Sequence, residues 1–216
     1  MPLQRLQVLN RFFFADLGFT GNLNHYHDPD NSYLHRVLQT RRGIPISLAV
    51  IWLELAQGIG LFAHGVGFPG HFLVKVQMPK GLVVLDPFTG QSLGRDDLTE
   101  RLEPFKGHLP EEFEVPLGLY LQAASSRDIV ARMLHNLKEI HRTQQDWPRM
   151  LAVLDRLLIL HPQAWAEWRD RGLVFAELED VVHAVHDLDM YVRHAGDSPD
   201  HGAIAQRLAE LRERLR

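Results

Sequence analysis

Residues 45–57, PISLAVIWLELAQ, are apolar on nearly every face. A helix with one apolar stripe can lie on a surface, but a helix without a polar side has to be surrounded. This segment therefore predicts a fold built around a buried helix. Pro45 suits its first turn, where a missing N–H costs nothing, and Gly58 or Gly60 ends it. Two runs rich in β-branched residues follow, 72–77 (FLVKVQ) and 82–85 (LVVL), with MPKG at 78–81 as the turn between them. Residues 64–68 (HGVGF) read as an earlier strand weakened by glycine. The order is one helix, then three strands in antiparallel succession.

Before this unit, residues 3–17 predict a helix with Leu6, Leu9, Phe13 and Phe14 on one face, ended by Gly18. Residues 21–31 (GNLNHYHDPDN) are all turn formers, and 33–39 predict a second short helix. Residues 91–124, with Pro104, Gly107, Pro110, Pro116 and Gly118, read as a connecting segment holding one short helix near 96–102.

From about residue 125 the chain reads as helix after helix, with a repeat. Trp168 stands 34 residues after Leu134, and Trp165 the same distance after Ala131. That is the period of a tetratricopeptide unit, a pair of helices joined by a turn. In the second unit Trp168, Gly172, Phe175, Ala184, Leu188 and Tyr191 have the expected spacing. The first unit fits less well, with Lys138 in the glycine's place and Met150 in the alanine's. Residues 204–215 (IAQRLAELRERL) suit the polar cap that ends such an array.

The 216 residues include no cysteine, which removes disulfides, thiolate metal sites and every cysteine nucleophile. The formal net charge of −4 provides no positive field for nucleic acid or anionic lipid, so neither is an expected partner. The apolar run 48–56, broken by Glu54, is too short to span a bilayer, and residues 1–11 are too polar for a secretory leader. A cytoplasmic location is the expectation.

Three positions suggest chemistry. Ser47 lies in the first turn of the buried helix, His71 follows Gly70 at the start of a strand, and Asp86 ends the next strand. If the two strands form a hairpin, His71 and Asp86 meet at one end of the sheet. A carboxylate there would fix the imidazole tautomer, and the helix start would offer N–H groups to an oxyanion. Each has a structural alternative: Ser47 as a helix-terminus cap, His71 with Asp86 as a strut between strand ends. His25, His27, Asp28 and His35 cluster in sequence as metal ligands might, although 13 histidines make chance clusters common, and no metal is expected. His183, His186 and His194 read as a solvated helix face. Trp165, Trp168, Phe175 and Tyr191 read either as an aromatic groove or as repeat packing.

Residues 41–48 read RRGIPISL; FPGHFLV follows at 68–74 and DPFTG at 86–90. In these motifs the chain resembles the transglutaminase-like superfamily, and within it the bacterial SirB-type proteins, over about residues 1–195. The resemblance implies an α+β fold: a transglutaminase-like (papain-like) core, with an antiparallel sheet around a buried helix, over residues 1–124, then an all-α tetratricopeptide tail over 125–216. Members of that group usually carry a further helical segment ahead of the point where this chain begins, so the first helix is expected to want a cover. His71 matches the superfamily's catalytic histidine and Asp86 its aspartate. The cysteine has no counterpart: its position falls on Pro45, with Ser47 the nearest hydroxyl. Arg41, Arg42, Pro45 and Gly70 are possible binding positions.

The expected function is accordingly a non-catalytic regulatory or interaction protein whose tail binds a protein or peptide, with no cofactor. The alternative is a hydrolase or acyl-transfer enzyme using Ser47 as nucleophile, His71 as base and Asp86 as orienting group. A metal-dependent hydrolase using His25, His27 or His71 is a third possibility.

Overall fold

A computed structural model describes residues 1–105 and 115–216; Gly107 and Pro110 of the connecting segment lie outside the described residues. The apolar segment forms helix α3, Pro45–Gly58. Its first half is enclosed on all sides, with Pro45, Ile46, Ser47, Leu48 and Ala49 buried, while Glu54 and Gln57 give the second half an exposed edge. The helix packs on β3 (Ala63–Val66) and β4 (Leu73–Met78), and β5 (Gly81–Leu85) and β6 (Ser92–Leu93) complete an antiparallel sheet in the order β3-β4-β5-β6. The turn between β4 and β5 is only Pro79-Lys80, because Met78 pairs with Gly81. On the sheet's second face Val66, Leu73 and Val84 pack with Leu98 and Leu102 of α4 (Arg95–Leu102) and with Leu121. The sheet is thus a middle layer between α3 and α4, which is how Leu73 and Val84 on one face and Val74, Val76 and Leu85 on the other are all buried.

The opening helix is shorter than its pattern implies. Helix α1 spans Pro2–Asn10, and Arg11–Asp16 widen into a π-helical turn, marked by Leu17 N–H on Phe12 O at 2.8 Å. The extra residue per turn carries Phe13 to full burial, stacked on Phe19 at 4.4 Å between ring centres, and leaves Phe14 half-buried. Two short elements have no periodic signal: β1 (Thr20–Gly21) pairs in parallel with β2 (Arg42–Gly43), just after α2 (Leu34–Thr40). The strand expected to run to Phe68 stops at Val66.

A four-residue helix, α5 (Leu117–Tyr120), precedes the tail. The tail is five helices: α6 (Ser126–Thr143), α7 (Trp147–Leu160), α8 (Trp165–Glu177), α9 (Val181–His194) and α10 (His201–Glu213). A Cβ on Gly172 would stand 2.8 Å from the Leu188 side chain, so the glycine is what lets α8 and α9 approach. Ala184, Leu188 and Tyr191 are buried in that contact and pack with Leu208 and Leu211 of α10. The two departures in the first repeat also have roles. Met150 is 3% exposed, and Lys138 is 8% exposed, its Nζ at 2.9 Å from Glu167 Oε2 and 3.0 Å from Asp170 Oδ2. The lysine replaces a small-residue contact with a charged tie between α6 and α8. Contacts divide the chain into two compact units, Met1–Ile129 and Val130–Arg216.

Candidate functional site

Val74 pairs with Leu85 in the β4–β5 register. Continued, that register sets Leu73 opposite Asp86, with His71 two residues along on the same face. The side chains meet: His71 Nε2 lies 2.9 Å from Asp86 Oδ1. His71 follows Gly70, whose φ of +65° turns the chain into β4 and whose missing Cβ leaves room for the Phe105 ring, which a Cβ would approach to 2.4 Å. His71 N–H closes that turn on Phe68 O at 3.0 Å.

Asp86 is the best-held residue of the site, at 2% exposure. Its Oδ1 also accepts from the Phe88 amide at 2.9 Å, and its Oδ2 accepts from Arg101 Nη2 at 3.1 Å. Burial opposes its charge, but the bond to His71, the Phe88 amide and the Arg101 guanidinium together outweigh that and hold the carboxyl below the usual aspartate range. An ionised Asp86 requires Nε2 of His71 to be the donor, which fixes the ring and sets Nδ1 on its opposite side. This is an oriented imidazole of the kind used to activate a nucleophile.

Ser47 is wholly buried, and its hydroxyl is engaged elsewhere. Its Oγ lies 2.7 Å from Asn31 O and accepts from Ile44 N–H at 3.1 Å. One oxygen thus satisfies the amide at the head of α3 and ties the preceding loop to it. Gly43 makes room for this: a Cβ there would stand 2.7 Å from Ser47 Oγ. Pro45 is buried at the first helical position, as its fixed φ favours. Arg41 ends α2 with φ +59° and lays its guanidinium 4.7 Å from the centre of the Phe19 ring; Arg42 is exposed in β2.

The loop histidines do not converge. Asp28 caps a short 3-10 turn through Asp30 N–H at 2.9 Å, and among the described residues no three His, Asp or Glu side chains form a group able to hold a metal ion. The loop is organised by Asn31 instead, whose Nδ2 donates to His25 O at 2.6 Å and Tyr26 O at 3.1 Å. The tail histidines bond separately: His183 with Asp180, His186 with Asp187, and His194 with Met190 O. Sequence reasoning missed Asn31 and Arg101. Asn31 looked like one more loop former. Arg101 carries no signal except its place in a helix's last turn, 15 residues from Asp86.

Two family models match. One, described as the transglutaminase-like superfamily, covers residues 1–135, and the other, a tetratricopeptide repeat, covers 137–209. The chain belongs to the transglutaminase-like superfamily. Within it the kinship is with bacterial proteins of the SirB type. A UPF0162 protein of Xylella fastidiosa is 39% identical over 191 residues, 88% of this chain and 67% of that protein. A UPF0162 protein of Pseudomonas aeruginosa is 32% identical, over 85% of this chain and 66% of its own length. Protein SirB1 of Salmonella typhimurium is 28% identical, over 91% and 72% respectively. No solved structure gives a significant match. Among the described residues no helix is long and apolar enough to cross a membrane.

Proposed function

We propose that this chain is a non-catalytic binding protein of the cytoplasm: a transglutaminase-like core without a nucleophile, joined to a tetratricopeptide tail that engages a protein or peptide. The observation that carries the reading is the state of the Ser47 hydroxyl. It is buried, and it bonds Asn31 O at 2.7 Å and the Ile44 amide at 3.1 Å. To attack a carbonyl it would have to abandon both, leaving a buried amide and a buried carbonyl unsatisfied. Pro45, at the superfamily's cysteine position, has no nucleophilic atom. The His71–Asp86–Arg101 group then serves as a polar strut between β4, β5 and α4. The tail supports the binding half of the reading, since repeat arrays of this kind present extended surfaces to other chains.

The hydrolase reading keeps one observation in its favour: His71 is oriented by an ionised carboxylate as a base would be. One experiment separates the two. The folded full chain is treated with a fluorophosphonate probe and analysed by intact mass. No adduct is expected, whereas an adduct on Ser47 that disappears in His71→Ala overturns the non-catalytic reading. In parallel, wild type and His71→Ala are expected to retain the same bacterial partner in a pull-down; failure of the wild type to retain any counts against the binding role.

A further inference from the structure

A cavity of about 500 Å³ opens in the tail where the first turns of α8, the last turn of α9 and loop 195–200 meet. Its walls include Trp165, Arg169, Tyr191, His194, Asp197 and Asp200. Tyr191 is 2% exposed, whereas Trp165, packed against the same core, is only half-buried and also lines the cavity. The Trp165 ring is held by stacking on His194, with 4.2 Å between ring centres and 15° between planes.

The charges in this cavity favour a cation. Arg169 is its one guanidinium, and it is already matched twice, giving Nε and Nη2 to Asp170 Oδ1 at 2.8 and 2.7 Å and Nη1 to Asp200 Oδ2 at 2.6 Å. Asp200 takes a further hydrogen bond from Tyr191 Oη on its other oxygen. That bond foremost, with Arg169 after it and against the cost of burial, holds the Asp200 carboxyl below its ordinary range. Asp197, at the exposed rim, makes no ion pair among the described residues. The C-terminal end of α9 adds its partial negative charge to the same wall. An anion entering here would meet two aspartates, Asp197 and Asp200, and an arginine already neutralised. A cation would meet the unmatched Asp197 carboxylate and the half-buried Trp165 indole.

We propose that this cavity receives an arginine side chain of a partner peptide. A guanidinium is planar and weakly hydrated, so it can lie on an aromatic ring while its edge reaches a carboxylate, which a compact lysine ammonium does less well. This inference deepens the partner reading and rests on it, but the test below reads a different property.

The full chain, labelled with ¹⁵N, is titrated with acetyl-Gly-Arg-Gly-amide and with the same peptide carrying neutral, near-isosteric citrulline. The reporter is the Trp165 indole N–H signal, assigned with Trp165→Phe. The arginine peptide is expected to shift that signal saturably and to bind about three- to fivefold more tightly than the citrulline peptide, the range of an exposed cation–π contact with a carboxylate beside it. Asp197→Asn, an exposed change that breaks no ion pair, is expected to remove most of that preference while leaving the fold unchanged by circular dichroism. Equal binding of the two peptides, no shift at millimolar peptide, or an unaltered preference in Asp197→Asn overturns the proposal. A chain that retains its partner but ignores the arginine peptide overturns this inference alone; a Ser47 adduct overturns the non-catalytic reading and leaves the cavity result standing.

Discussion

Ser47 Oγ serves two backbone groups at once, the amide of Ile44 and the carbonyl of Asn31. Ser47→Ala leaves both unsatisfied at a fully buried position, so it is expected to destabilise the core by about 1–3 kcal/mol, read as a lower midpoint in urea with an unchanged slope. An unchanged midpoint would mean that the hydroxyl is not needed to hold the loop. Asp86 makes a prediction in pH. Folding depresses its pKa, so the folded protein holds that proton more weakly than the unfolded chain. Its ionised form therefore contributes stability in full above the ordinary aspartate value of about 3.9, and the contribution is lost as pH falls below that value through the folded one. Asp86→Asn is expected to lower stability at pH 7 and to flatten the fall in stability below about pH 4 relative to wild type. Equal acid slopes in the two proteins would show that Asp86 is not held ionised by its partners.

Between elements, small residues and one charged tie set the spacing. Gly172→Ala forces a methyl to within 2.8 Å of Leu188, whose backbone N is only 3.1 Å away and limits any shift. The expected cost is about 1–3 kcal/mol, with loss of helical signal from the tail in thermal unfolding. The α6–α8 tie behaves differently. Lys138 and Glu167 are both buried, and removing either strips the other of its closest charged partner. Lys138→Met alone is expected to cost about 3–5 kcal/mol, while Lys138→Met with Glu167→Leu should recover most of the loss, as a double-mutant cycle would show. His135 and Asp170 share in the group, so the recovery is expected to be incomplete.

For the whole molecule, charge sets what can associate with it. A formal net charge of −4 gives no long-range attraction for nucleic acid. A labelled DNA duplex is expected to show no saturable binding to the full chain at physiological salt, by fluorescence anisotropy; tight, salt-sensitive binding would reveal a local basic surface that the net charge conceals. The partner is instead expected to be a protein or peptide, and the arginine cavity of the tail gives that expectation a local chemistry.

Much of this was legible in the chain itself. A largely apolar helix, two β-branched runs around a short turn and a 34-residue period each report local patterning, and local patterning is written in consecutive residues, although the exposed edge at Glu54 and Gln57 shows that only the first half of the helix is enclosed. The meeting of His71 with Asp86 was also legible, because a hairpin converts sequence spacing directly into register. The parallel pair β1–β2, the π-helical turn and the contact of Arg101 with Asp86 were not. Each joins residues whose neighbours give no hint of one another. The same holds for the contacts of Ser47 with Asn31 and Gly43, which are brought to it by a loop without periodic pattern. Sequence alone determined which segments had to be buried and in what secondary structure, because hydrophobic spacing is a property of the chain. Tertiary structure decided which polar atoms met inside, because the satisfaction of a buried hydrogen bond depends on every element packed around it.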